Sequence, residues 1–137
     1  MDQLALRLRV ARKALRSLRA ILKSRKSIVA RDAAIQRFEY TFEAVWKTVK
    51  VYLLARQGLD LASPKSVLRA AGASGLLNEV LTRRALTMTD DRNRTSHTYN
   101  QQVAVQIYKR IPKYADLMEG LLSAMERPSQ TMLQLKE

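Results

Sequence analysis

Arg92, Asn93, Arg94, Thr95, Ser96, His97, Thr98 and Tyr99 bring two guanidiniums, an amide, three hydroxyls, the chain's single imidazole and a phenol into eight consecutive positions. An imidazole titrates near neutral pH, so it can take or give a proton under physiological conditions. A guanidinium presents a planar fork of donors suited to the non-bridging oxygens of a phosphate. Asn93 could orient either the phosphate or the imidazole. Together these groups fit cleavage of a phosphodiester by an adjacent hydroxyl, with a base, an acid and charge stabilisation at phosphorus. The same residue types also cap helices and turn chains, so the run reads as well as an ordinary polar connection. Asp90 and Asp91, just before it, are better caps than metal ligands, because two adjacent carboxylates have no third partner.

The elements that must hold this run are helical. The chain has 137 residues, with four Gly, three Pro and no Cys. That length suits one domain with a real core, and the scarcity of breakers predicts long helices. Leu4, Leu8, Ala11, Leu15, Leu18 and Leu22 alternate spacings of four and three, which predicts a helix over 3–27. Phe38, Phe42, Val45, Val49 and Leu53 repeat that stripe and predict a helix over 31–57, closed by Gly58 as C-cap. Ser63-Pro64 reads as an N-cap followed by proline in the first helical position, opening a short helix over 64–72. A second short helix is expected over 76–88. After the polar stretch 89–98, Ile107, Ile111, Tyr114, Met118, Leu121 and Met125 predict a last long helix over 99–125. Pro112 should kink or locally open that helix. The expected fold is therefore an all-α bundle of about five helices, spanning 1–126, with a flexible tail over 127–137. Phe38, Phe42 and Trp46 read as packing rather than base stacking, and Glu39 and Lys47 as a surface or interhelical pair.

The net charge of +13 is uneven. Residues 1–31 hold ten basic groups against Asp2 alone. Arg9, Arg12, Arg16 and Arg19 fall opposite the apolar stripe of the first helix. A basic back of this kind is either a solvated face or a contact for polyanions or an acidic protein. An Arg-rich N-terminus also occurs in organelle transit peptides, but this one is patterned as a core helix. With no Cys and one His, a zinc or non-haem iron site is not expected. No apolar run reaches the roughly 20 residues needed to span a bilayer, and a cytoplasmic location is expected.

Three blocks carry a family resemblance. They are the run from Arg31 to Lys47, the Ser63-Pro64-Lys65 start with the segment 70–77, and Arg92-Asn-Arg-Thr-Ser-His-Thr-Tyr99. In this order they resemble the nucleotidyltransferase substrate-binding proteins of the HEPN superfamily, over roughly residues 2–125. The resemblance implies an up-and-down helical bundle that forms a homodimer. It implies that the Arg-x4-His motifs of two protomers, here Arg92 and His97, face each other across a cleft and cleave RNA without metal; with Asn93, placed by the chemistry above, these make the expected catalytic set, and no cofactor is expected. It also implies a neighbouring minimal nucleotidyltransferase (MNT) acting as antitoxin to this toxin. Arg92, His97 and Tyr99 match an Arg-x4-His-x-Tyr pattern whose tyrosine is adenylylated by such a partner in related systems. RNA is expected to meet Arg94 beside the motif and Arg9, Arg12, Arg16 and Arg19 on the first helix. The alternative is a non-catalytic subunit that presents substrate to the nucleotidyltransferase.

Overall fold

The computed structural model describes residues 2–127, and the expected tail beyond Arg127 lies outside them. Five α-helices follow one another: α1 (Gln3–Lys23), α2 (Ile28–Gln57), α3 (Pro64–Ala73), α4 (Glu79–Arg94) and α5 (Gln101–Glu126), with a 3-10 turn at Thr95–His97. No strand occurs among the described residues.

The apolar stripes assemble the bundle. Phe38, Phe42, Val45, Val49 and Leu53 of α2 and Ile107, Ile111, Met118 and Leu121 of α5 are all buried. Leu4, Ala11, Leu15 and Leu18 close the core from α1. The rings of Phe38 and Tyr114 stack with centroids 5.6 Å apart, joining α2 to α5. Phe38 and Phe42 are thus core residues, and Trp46 is half-buried at its edge. Helix α1 lies antiparallel to α2, as shown by Ser17 meeting Tyr40 and Thr48 donating to the Arg7 carbonyl. Helix α3 packs on α2 and α4, and α4 packs on α5.

Local chemistry sets the ends. Ser27 caps α2 through Ala30 N–H, so this helix begins three residues before the expected start. Helix α1 stops at Lys23, with Ser24 turning back to Ile21 O, rather than running to residue 27. Gly58 takes the left-handed conformation, φ 67°, that ends α2, where a side chain would be strained. Ser63 and Ser66 form a capping box over Pro64. Gly72 lets α3 approach α4, because a Cβ there would collide with the Thr82 side chain. Pro112 sits within α5 without ending it.

The fourth helix departs most from expectation. It begins at Glu79, capped by Asn78, and runs to Arg94 instead of stopping at residue 88. Thr89 and Asp91 are polar yet buried on its inner face. Thr89 returns its hydroxyl to Ala85 O, and Asp91 is taken up by α5. Polar residues in this stretch therefore continue the helix, and Arg92 and Arg94 favour its C-terminal end.

Candidate functional site

The end of α4, the 3-10 turn and the start of α5 form one corner. Asp91 is its anchor. With 2% of its surface exposed, it accepts hydrogen bonds from Arg94 at 3.2 Å, Arg110 at 3.1 and 3.0 Å, and the Tyr114 hydroxyl. A buried carboxylate is tolerated only with such compensation. Asp91 is thus not a cap, and it pins the last turn of α4 to α5. Arg94 also donates to Gln106 at 2.9 Å. Burial and the Asp91 carboxylate hold the Tyr114 phenol above its usual range.

Arg92 is held from two sides. Its Nη1 donates to Thr95 Oγ1 at 3.2 Å, and Glu43 Oε1 of α2 lies 3.5 Å from its Nε. That Nε is buried without a hydrogen bond. Glu43 also accepts from Trp46 Nε1 at 3.1 Å and pairs with Lys47 at 3.9 Å. Lys47 therefore pairs with Glu43, one turn away on the same helix, rather than with Glu39 as expected. Thr95, itself buried, bonds back to Arg92 O at 2.6 Å. Lys65, matched in sequence without a derivable role, pairs with Asp90 at 2.6 Å.

His97 and Tyr99 stand on this pinned corner and point outward. His97 is exposed and Tyr99 is 82% exposed. His97 Nδ1 lies 3.3 Å from the Tyr99 hydroxyl, with the rings edge-on at 5.8 Å. Tyr99 falls just before α5, because Asn100 is the N-cap, accepting from Gln102 and Val103 N–H. The Asn100 N–H in turn binds His97 O at 3.1 Å. Asn93 is exposed on the last turn of α4. The structure thus brings Arg92, Asn93, Arg94, His97 and Tyr99 to one corner. Among the described residues no group of three or more His, Cys, Asp or Glu could hold a metal ion.

The basic face of α1 is elsewhere. Arg12 pairs with Glu119 and Glu126 of α5 and donates to Ser123 at 3.1 Å. Arg19 pairs with Asp116 at 3.1 Å. Glu126 and Glu119 raise the affinity of Arg12 for its proton, and Arg12 holds the Glu119 carboxyl below its usual range. Of the five arginines expected to meet RNA, Arg12 and Arg19 join α1 to α5 and Arg94 bonds to Asp91 and Gln106; Arg9 and Arg16 are exposed. At 1.5 Å per residue, Glu119 and Glu126 lie about 27 and about 38 Å along α5 from its start at the corner.

The sequence reading missed Glu43, Asp91 and Thr95 as the groups that position the run. An acid three residues before an arginine on one helix face, as with Asp91 and Arg94, was the available signal.

Residues 6–127 match the family described as nucleotidyltransferase substrate binding protein like. A probable ribonuclease HepT from Haemophilus influenzae is 30% identical over 101 residues, covering 71% of this chain and 68% of that one. A Thermus thermophilus protein of known crystal structure is 51% identical, with a TM-score of 0.83, covering 85% of this chain and 99% of the other. The fold is shared more distantly, at 13% identity and a TM-score of 0.71, with a tri-AMPylated HEPN toxin of Shewanella oneidensis in complex with an MNT antitoxin, covering 92% of this chain and 98% of that toxin. Among the described residues no helix is long and apolar enough to cross a membrane.

Proposed function

This chain belongs to the nucleotidyltransferase substrate-binding protein family of HEPN-like bundles, and on that premise we propose that it is the toxin of a HEPN/MNT pair, an endoribonuclease that works without metal. The observation that carries this reading is an exposed imidazole mounted on a corner that is otherwise pinned by buried polar contacts. Rigid support under a solvent-facing histidine is what proton transfer to an incoming substrate needs. In the proposed reaction a base takes the 2′-hydroxyl proton, the O2′–P bond forms, the P–O5′ bond breaks, and an acid protonates the departing 5′-oxygen. His97 supplies the proton transfers. Arg92 stabilises charge on the phosphoryl oxygens, and Asn93 orients the phosphate. In a homodimer, residues 92–99 line or flank the cleft between protomers, and the two His97 side chains divide the acid and base roles.

Tyr99 is the proposed switch. Its hydroxyl is exposed and sits beside His97, so adding AMP there would place charge and bulk on the imidazole. This step rests on the Arg-x4-His-x-Tyr spacing and on that exposure, and a cognate MNT-type nucleotidyltransferase would supply the AMP. The second reading, a non-catalytic substrate-binding subunit, is favoured by the family description itself.

Purified full-length chain incubated with labelled RNA in EDTA separates the two. The ribonuclease reading expects cleavage that is lost in His97→Ala while circular dichroism and mass by light scattering are unchanged. Cleavage that survives His97→Ala, or that stops with EDTA, overturns the mechanism. A chain that never cleaves, yet binds and raises the activity of its nucleotidyltransferase, establishes the second reading.

A further inference from the structure

A groove of about 560 Å³ runs between α4 and α5, and no residue of α1 or α2 lines it. Its floor is aliphatic, built from Leu77, Leu81 and Leu117, with Val80 at its edge and 47% exposed. Its rim is cationic: Arg83 and Arg84 rise from α4, Arg110 and Lys113 from α5, and Asp116 is the one acid in the lining. Asp116 is paired with Arg19 and Arg83 with Glu79, whereas Arg84 and Lys113 have no acidic partner among the described residues.

From these features we propose that the groove docks an acidic amphipathic helix of a protein partner. An apolar trough between two helices receives the apolar stripe of a third by ridge-and-groove packing. The unpaired cations on both banks select glutamates or aspartates on the flanks of that helix. The trough from Arg110 to Gly120 is about 15 Å long at the helical rise, which accommodates about three turns. A second copy of this chain is disfavoured, because a two-fold contact sets the same patch on both copies together and would bring this cationic rim against another cationic rim. RNA is also disfavoured: the floor is aliphatic and offers no exposed ring for a base to stack on. This docking site stands apart from the ribonuclease reading, since none of the groove residues belongs to the Arg92–His97 set. The groove and that corner do share Arg110, which bonds to Asp91.

The test is fluorescence anisotropy with the full-length chain and a labelled helical peptide of about 15 residues, or four turns. The peptide carries leucine on one face and glutamate on both flanks, and its control carries lysine in place of glutamate. Binding of the acidic peptide alone is expected. It should weaken about tenfold in Arg84→Glu/Lys113→Glu, which turns two attractive rim contacts repulsive. Val80→Asp, at an exposed position, should weaken it similarly without lowering the melting temperature. Four results overturn the proposal. The lysine peptide binds equally, or neither variant weakens binding. A labelled oligouridylate binds with the same sensitivity to Arg84→Glu/Lys113→Glu, assigning the groove to RNA. Val80→Asp lowers the mass of the chain in light scattering, assigning the groove to contact between copies.

Discussion

Tyr114 of α5 donates its hydroxyl proton to the buried carboxylate of Asp91 on α4, oxygen to oxygen at 2.5 Å. This bond, with Arg110 and Arg94 on the same carboxylate, fixes where the last turn of α4 meets α5. The Arg-x4-His run begins at the next residue, so its geometry inherits this joint.

Replacing Asp91 tests the joint directly. Asp91→Ala leaves the Tyr114 hydroxyl buried without an acceptor, while Arg94 and Arg110 can turn to solvent. The expected loss is about 1–3 kcal/mol, the scale of one unsatisfied buried polar group. Asp91→Asn keeps an acceptor for Tyr114 and should lose less. Urea unfolding monitored by circular dichroism checks the order Asp, Asn, Ala; equal stability of all three would show that the joint contributes nothing.

The same pair predicts an alkaline limit. Burial first, and Asp91 second, raise the Tyr114 pKa in the folded state. The unfolded chain then releases this proton near the ordinary phenol value of about 10, while the folded chain holds it. The contribution is complete below that pH and is lost as pH rises through the folded value. Melting temperature should fall more steeply above about pH 10 in the native chain than in Tyr114→Phe, and parallel curves would remove the effect.

On the acid side the sign reverses. Arg12 holds the Glu119 carboxyl low, opposed by desolvation, so the pair stabilises above the unfolded carboxyl pKa and fades as pH falls through the folded one. Because Glu119 is 41% exposed, the effect is modest and screened by salt. Arg12→Gln should flatten the decline in stability between about pH 5 and 3, the range in which carboxylates lose their charge.

Within the ribonuclease reading, Arg92→Ala should slow cleavage by about 100-fold or more, as when one charge-stabilising donor is removed. Tyr99→Phe should keep much of the cleavage yet escape silencing by a cognate nucleotidyltransferase, giving growth arrest even when the partner is co-expressed. Mass spectrometry of the co-expressed native chain should place AMP on Tyr99. AMP on another residue, or none, would remove the switch.

If the exposed face of α1 meets RNA phosphates, affinity falls steeply with salt. Arg9→Gln/Arg16→Gln should flatten that slope, and adding Arg12→Gln and Arg19→Gln should add little beyond a loss of stability, because those two are engaged with α5. An unchanged slope in Arg9→Gln/Arg16→Gln would leave this a solvated face.

The sequence alone determined the all-α class and the three long helices, because a 3.6-residue apolar period such as Phe38, Phe42, Val45, Val49 and Leu53 survives any arrangement that buries one face. It also determined the Gly58 and Ser63-Pro64 boundaries, where local backbone chemistry decides. The Arg92–Tyr99 run was visible as a cluster of functional groups for the same reason: it is contiguous. The length of α4 was not legible, since Thr89 and Asp91 look like loop residues until Ala85, Arg110 and Tyr114 are seen to satisfy them. Only the tertiary structure decided which charges are spent on holding helices together. Arg12 and Arg16 sit one helical turn apart with similar surroundings in the chain, yet Arg12 faces Glu119 and Glu126 across the α1–α5 interface while Arg16 faces solvent. Periodicity fixes which face of a helix turns inward, but the partner of a charge depends on the neighbouring helix's register and distance, and these arise only when the helices pack.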